Sequence, residues 1–186
     1  MIFWNVILWG WIASEILILI VTRTRRGGGT VSDRGSLLTL WAVICVSLSI
    51  GSWIGETQPH TIFGGAQWVP TASLWLLAAG LVIRWIAIAT LGKSFSVNVA
   101  IRINQTVHKT GLFRIVRHPS YTGLLMIFAA IGLRTQNWLG LAAVLLPTTA
   151  ALLYRIHVEE AALGAAFGSE YEEYSRVTKR LVPGIY

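Results

Sequence analysis

Residues 71–91 read TASLWLLAAGLVIRWIAIATL, an apolar run interrupted by a single charged side chain, Arg84. An α-helix rises about 1.5 Å per residue, so roughly 20 residues cross the hydrocarbon core of a bilayer, which is about 30 Å thick. A run of this length and polarity therefore predicts a transmembrane helix. Two more runs of the same kind, residues 2–21 and 37–54, precede it along the chain.

The composition of the whole chain is typical of a protein that lies in a lipid bilayer. Of its 186 residues, 54% are hydrophobic and only 12% are charged, about half the charged share of a soluble domain. The net charge of +7 does not indicate a nucleic-acid partner, because the 15 Lys and Arg residues fall in short gaps between apolar runs. A nucleic-acid surface needs a continuous basic face on a folded polar domain.

Two further apolar segments, residues 121–133 and 138–157, are separated only by residues 134–137. So short a separation predicts a helical hairpin, although the first arm is short for a membrane span. Several acidic residues near position 170 predict a short amphipathic helix after the hairpin. The fold class that we expect is all-α: an integral membrane protein of about five transmembrane helices, including the C-terminal hairpin, plus a cytoplasmic C-terminal helix.

Basic residues in the loops predict the orientation, because loops rich in Lys and Arg stay on the cytoplasmic side of a membrane. Residues 55–69, between the second and third spans, contain Glu56 and neither Lys nor Arg. The loops on the other side contain Arg23, Arg25, Arg26, Arg34, Lys93, Arg102, Lys109, Arg114 and Arg117. We therefore expect a multi-pass protein with its N-terminus outside and its C-terminus in the cytoplasm.

Two pairs of ionisable residues lie within or at the end of apolar spans. Arg84 is in the middle of a span, where a charge costs on the order of 2.5 to 3.5 kcal/mol, so it should face a partner. Glu15 is the candidate for a structural ion pair, and contact with a ligand is the alternative. Arg155 and Glu159 are spaced by four residues and therefore share one helix face. They could present a cation and a carboxylate to one ligand, or form a surface salt bridge while Arg155 extends towards water.

Two sequence blocks identify a family when they are taken together. Residues 110–123 read TGLFRIVRHPSYTG and residues 155–174 read RIHVEEAALGAAFGSEYEEY. With Arg84 before them, these blocks resemble the isoprenylcysteine carboxyl methyltransferase and phospholipid methyltransferase group of membrane enzymes. Several ordered blocks at matching spacing are far more specific than a single His-Pro-x-Tyr motif. The resemblance covers a little over half of the chain, from about residue 81 to residue 186.

The resemblance implies that S-adenosylmethionine binds on the cytoplasmic side and that a methyl group is transferred to a lipophilic acceptor. Arg155 is expected to bind the acceptor and, with Glu159, to act in catalysis. The residues expected to bind the cofactor are Asn98, Gln105, Thr106, Val107, His108, Phe113, His118, Pro119, Ser120, Tyr121 and Glu159. No metal is implied.

This sequence departs from the family pattern at two places. Phe113 stands where the family usually has Tyr, so one hydroxyl is missing. Gln105 stands where the family usually has His, and His108 either replaces that histidine or lies in the loop without a role. The resemblance also divides the single membrane domain, residues 1–186, into two scaffold spans over residues 1–69 and a methyltransferase-like core over residues 70–186.

Two rival functions are consistent with a chain of this kind. One is an NADPH-dependent reductase of the sterol reductase type, whose C-terminal organisation is related, although no dinucleotide-binding fingerprint is present. The other is a membrane accessory protein without enzymatic activity. The sequence leaves open whether the methyl acceptor is a carboxylate, an amine or a thiol, and it indicates no oligomeric state.

Overall fold

The computed structural model describes residues 2–22, 30–31, 35–95, 100–101 and 106–186. Within these ranges the helices are α1 (Ile2–Thr22), α2 (Ser36–Thr57), α3 (Trp68–Leu91), α4 (Pro119–Arg134), α5 (Trp138–Phe167) and α6 (Ser169–Val177). Two short strands are β1 (Thr30–Val31) and β2 (Ala100–Ile101), and single 3₁₀ turns occupy Ile62–Gly65, Gly92–Ser94 and Gly111–Arg114.

The helices confirm the predicted all-α membrane fold. Among the described residues, α1, α2, α3 and α5 are long and apolar enough to cross a bilayer. The hairpin is formed by α4 and α5, but α4 has only 16 residues, which is below the length of a full span. Its partner α5 has 30 residues and extends well beyond the predicted end at residue 157.

Local sequence signals set the ends of the hairpin helices. Pro119 is at the first position of α4, where its missing N–H costs no helical hydrogen bond. Asn137 caps α5, because its side chain accepts hydrogen bonds from the backbone N–H groups of Leu139 and Gly140. Gly168, with φ of 52°, ends α5 in a conformation that other residues rarely adopt. The chain can therefore turn sharply into α6.

Small residues bring the helices into close contact in two places. A Cβ atom at Gly80 of α3 would lie 2.7 Å from the backbone oxygen of Gly123 in α4, so these two backbones touch. Gly51 of α2 packs against the side chain of Val144 in α5. Such contacts are the usual means by which membrane helices pack closely, and they set the distance between side chains that extend from facing helices.

The chain segments after α1, α3 and α5 lie at one end of the helix bundle. Strand β1, after α1, pairs with β2, after α3. Val116, just before α4, forms a parallel bridge with Lys179, which follows α6. At the opposite end, the N–H of Thr61 donates to the backbone oxygen of Gln136, which joins the loop after α2 to the hairpin turn.

Helix α1 is the least embedded of the four long helices. Its buried residues are Trp11 and Glu15, whereas α2, α3, α4 and α5 bury several residues each in the interior. The Trp11 ring packs edge-on against Phe128 of α4, with the ring centroids 6.0 Å apart. Helix α1 therefore contacts the rest of the bundle through one narrow face.

Candidate active site

A large cavity opens at the end of the bundle where the basic segments meet. It encloses about 950 Å³ of atom-free space, part of it open to solvent. Its walls come from the end of α3, the segment before α4, the first turn of α4, the C-terminal half of α5, and α6. We call this space the first cavity.

The first cavity brings together every predicted site residue that the structure describes. Those that line it are Thr106, Val107, His108, Phe113, His118, Pro119, Ser120, Tyr121, Arg155 and Glu159. The remaining two, Asn98 and Gln105, lie outside the described residues. The ring of His108 packs edge-on against that of Phe113, with the centroids 5.9 Å apart, so the histidine belongs to the cavity wall.

Two buried polar atoms in this wall lack a hydrogen-bond partner within the described part of the chain. They are Oε2 of Glu159 and the hydroxyl oxygen of Tyr171, and both side chains line the first cavity. Nδ1 of His118 lies 3.8 Å from Oε2 of Glu159, which is too far for a hydrogen bond. A buried polar group without a partner costs about 1 to 3 kcal/mol, so these atoms are suited to a polar ligand.

The neighbouring carboxylate of Glu160 has a different environment. It accepts hydrogen bonds from Nε of Arg117 at 2.9 Å and from Nε of Arg180 at 2.8 Å. Its Oε1 also lies 3.3 Å from Nε2 of His118. Glu160 therefore joins α5, the segment before α4 and the chain after α6. The Glu160 side chain therefore holds these three segments together, whereas Glu159 faces the cavity.

A buried hydrogen bond holds helix α6 over the site. The hydroxyl of Tyr174 donates to the backbone oxygen of Phe113 at 2.6 Å. Burial raises the pKa of Tyr174 to about 12, so the hydroxyl stays protonated at physiological pH and remains a donor. Burial also raises the pKa of Tyr171 well above its usual range, and the nearby carboxylate of Glu160 adds to that effect.

Arg155 lies at the inner end of the first cavity and is only 2% exposed. Its Nε donates to the hydroxyl of Tyr121 at 3.2 Å, and its Nη1 donates to Oγ of Ser36 at 2.8 Å. The alternative that Arg155 extends towards water is therefore wrong. Ser36, the first residue of α2, is a site residue that sequence reasoning missed.

A second cavity continues from this point into the membrane-spanning part of the bundle. It encloses about 560 Å³, and its wall shares Phe95, Tyr121 and Arg155 with the first cavity. The rest of the wall is mostly apolar and comes from α1, α2, α3 and α4, with Trp11, Glu15, Leu19, Leu37, Leu40, Trp41, Ile44, Arg84 and Leu124. The two cavities meet at the side chain of Arg155.

Several further residues of the first cavity were absent from the predicted site. They include Leu91, Ser94, Phe95, Arg117, Ala162, Leu163, Phe167, Tyr171 and Tyr174. Helical periodicity would have found some of them, because steps of three or four residues from Arg155 and Glu159 lead to Ala162, Leu163 and Phe167.

Comparison with known proteins identifies the architecture. Residues 73–165 match the isoprenylcysteine carboxyl methyltransferase (ICMT) family. The chain belongs to this family. A probable protein-S-isoprenylcysteine O-methyltransferase of Oryza sativa subsp. indica is 33% identical over 163 residues, which cover 86% of this chain and 85% of that protein. The chain is thus a multi-pass integral membrane protein of the ICMT family.

Two further similarities concern a shorter region and the fold. Methanethiol S-methyltransferase 2 of Bradyrhizobium diazoefficiens is 39% identical over 75 residues, which cover 40% of this chain and 28% of that protein. The solved structure of the eukaryotic intramembrane Ras methyltransferase ICMT matches with a TM-score of 0.60 at 22% identity. That match covers 81% of this chain and 51% of the ICMT chain, and it shows that the fold is shared.

Proposed function

We propose that this protein transfers a methyl group from S-adenosylmethionine to a lipophilic acceptor, with the cofactor in the first cavity and the acceptor in the second. The observation that carries the proposal is that the two cavities share Phe95, Tyr121 and Arg155. A cavity with several polar groups in its wall and a mostly apolar cavity that meet at one arginine suit a reaction between a soluble cofactor and a membrane-dissolved acceptor.

The wall of the first cavity fits the chemical groups of S-adenosylmethionine. The orphaned Oε2 of Glu159 can accept from an ammonium or a ribose hydroxyl, and the hydroxyl of Tyr171 is a second unpaired group. The rings of Phe113 and His108 offer faces and edges against which an adenine can pack. When bound, this cofactor would supply a methyl group that is activated by its bond to a positively charged sulfur, the leaving group of the transfer.

The residues of the chain would contribute positioning and exclusion of water. Arg155 is held from two sides, by Tyr121 and by Ser36, so its guanidinium has a fixed direction before any ligand binds. Such preorganisation lowers the barrier of a two-reactant step, because orientation is established in advance. The apolar wall of the second cavity would exclude water from the acceptor atom.

A carboxylate is the acceptor that this arrangement favours. The buried cation at the junction of the cavities can pair with an anion and orient it, which is a task that suits the planar guanidinium of arginine. An amine or thiol would need a base instead, and Glu159 and His118 are the available groups. The named relatives include both O-methyltransferases and an S-methyltransferase, so the acceptor must be decided by assay.

We also propose that the first cavity faces the cytoplasm and that the N-terminus lies outside. The basic segments after α1 and α3 meet through β1 and β2, and loops rich in Lys and Arg remain cytoplasmic. We further propose that residues 1–186 form one membrane domain, in which α1 and α2 contribute to the wall of the second cavity.

Calorimetry on the purified protein in detergent tests the cofactor assignment. We expect S-adenosylmethionine and S-adenosylhomocysteine to bind and NADPH not to bind. Binding of NADPH alone would contradict the proposed methyltransferase activity and indicate a reductase. Binding of none of the three would favour an accessory role. Transfer of radiolabelled methyl groups to a farnesylated cysteine with a free carboxylate, and separately to a lipophilic thiol, would identify the acceptor class.

A further inference from the structure

A buried ion pair connects α1, α3 and α4 beside the second cavity. Nε and Nη2 of Arg84 both donate to the carboxylate of Glu15, the second at 2.6 Å. Nε1 of Trp11 donates to the same carboxylate at 3.0 Å. Arg84 is 5% exposed and Glu15 is 6% exposed, so the alternative of an ion pair, left open by the sequence, is confirmed.

The guanidinium also contacts the helix that carries the site. Nη1 of Arg84 donates to Oγ of Ser120 at 2.7 Å and approaches the backbone oxygen of Ser120 at 3.5 Å. Ser120 is in the first turn of α4, next to Tyr121, whose hydroxyl accepts from Arg155. The Arg84 side chain is therefore one residue away from the point where the two cavities meet.

The backbones of α3 and α4 leave this contact little freedom. A Cβ atom at Gly123 would lie 2.9 Å from both Cβ and the backbone nitrogen of Arg84. The first turn of α4 thus rests directly on the residue that binds Ser120. Glu15 completes the arrangement, because it neutralises Arg84 and fixes the direction of its guanidinium through two hydrogen bonds.

We propose that Glu15 and Arg84 are positioning residues, which hold the first turn of α4, with His118 and Tyr121, at the junction of the two cavities. A membrane protein could replace a buried ion pair with apolar side chains at little or no cost in stability. Stability therefore does not require the ion pair. A defined position for the first turn of α4 does require it. This inference rests on the proposed function, since the positioned residues are those assigned to cofactor and acceptor.

Three variants separate positioning from folding. Ser120→Ala removes only the hydroxyl that Arg84 binds. Glu15→Gln leaves the guanidinium without its counter-charge. The double variant Glu15→Leu/Arg84→Met removes both charges together and should retain a melting temperature close to that of the wild type. Glu56→Gln is the matched control, because Glu56 is an exposed acid in α2.

The readouts are hydrogen exchange at the amides of Tyr121 and Thr122, affinity for S-adenosylhomocysteine, and the rate of methyl transfer. Both amides bond to the backbone oxygen of His118 at 3.0 Å. We expect faster exchange and roughly tenfold to hundredfold slower transfer in the double variant despite its retained stability, since a shift of about 1 Å costs up to a hundredfold. We also expect Ser120→Ala and Glu15→Gln each to slow transfer, and Glu56→Gln to match the wild type.

Wild-type exchange and wild-type transfer in the double variant would overturn the positioning role and leave a purely structural pair. Failure of the proposed function has a different signature, in which the wild-type protein neither binds S-adenosylhomocysteine nor transfers a methyl group. In that case the exchange rates of the first turn of α4 still decide whether Glu15 and Arg84 position it.

Discussion

The two cavities differ in how their polar groups are satisfied. In the first cavity, Oε2 of Glu159 and the hydroxyl of Tyr171 are buried without a partner among the described residues. In the second, the charges of Glu15 and Arg84 are engaged with each other and with neighbouring groups. Unsatisfied groups in a wall indicate a polar ligand, whereas an apolar wall whose charges are paired indicates an apolar one. The difference supports the proposed division, with the cofactor and the acceptor in separate spaces.

Removal of the junction between the cavities should have the largest effect. Arg155→Ala deletes the cation that both cavities share, and we expect transfer to slow by about 100- to 1,000-fold, the usual loss for one preorganised electrostatic group. Affinity for S-adenosylhomocysteine should change much less. The transfer rate of Arg155→Lys should lie between those of the wild type and Arg155→Ala, because lysine keeps the charge but loses the fixed fork of donors. An equal loss of cofactor affinity and transfer would show that Arg155 serves the cofactor.

A change confined to the first cavity should affect the cofactor and leave the fold intact. We expect Glu159→Gln to weaken S-adenosylhomocysteine binding about tenfold or more, because a hydrogen bond to a charged group contributes about 1.5 to 3 kcal/mol. The melting temperature should fall less than in the matched control Glu160→Gln, since no described residue donates to Oε2. Calorimetry and thermal unfolding measure the two effects.

Glu160→Gln is the matched control for that variant, since it makes the same change at the adjacent position. Glu160 accepts from Arg117 and Arg180, so we expect a clear loss of thermal stability. Wild-type cofactor affinity in both Glu159→Gln and His118→Ala would contradict the assignment of the first cavity.

A change confined to the second cavity should affect only the acceptor. Trp41→Ala removes apolar surface from the wall, and we expect the KM for a long-chain acceptor to rise about fivefold, equivalent to roughly 1 kcal/mol. The KM for S-adenosylmethionine should stay at its wild-type value. Trp75→Ala, at an exposed position on α3, is a matched control. An increase in the cofactor KM alone would contradict the separation of the two spaces.

The smallest effect is expected from the support of Arg155 behind the junction. Ser36→Ala removes one acceptor of its guanidinium, while the bond to Tyr121 remains. We expect about threefold slower transfer, equivalent to roughly 0.7 kcal/mol, because the lost bond acts on transfer only through the position of Arg155. Ser36→Thr, which keeps the hydroxyl, should retain most of the activity. No change in Ser36→Ala would show that Tyr121 suffices to hold Arg155.

Much of the fold was predictable because membrane spans are set by local composition. The three N-terminal spans and the hairpin follow from apolar length alone. The length of α5 was underestimated, because Arg155, Glu159 and Glu160 resemble the end of a span. In the structure Arg155 is buried, Glu159 faces the first cavity and Glu160 is paired with Arg117. The helix continues to Phe167.

The predicted site residues that the structure describes line one cavity, together with others that were not predicted. Ordered motifs brought His118, Tyr121, Arg155 and Glu159 into one cavity. They could not show that Ser36, which is 119 positions from Arg155, contacts it, because no local pattern links two distant helices. Nor could they show that Glu160 binds Arg117 and Arg180, since these contacts join segments that are distant in the sequence. The second cavity lay beyond sequence reasoning for the same reason.

Photocrosslinking tests the division of the two cavities most directly. An acceptor analogue with a diazirine on its hydrocarbon chain and an azido analogue of S-adenosylmethionine would each be activated on the wild-type protein, and the adducts mapped by mass spectrometry. We predict acceptor adducts at Trp11, Leu40 or Trp41 and cofactor adducts at Phe113, Phe167 or Tyr171. Adducts of both probes in the same cavity, or acceptor adducts only on the outer faces of the helices, would contradict the account.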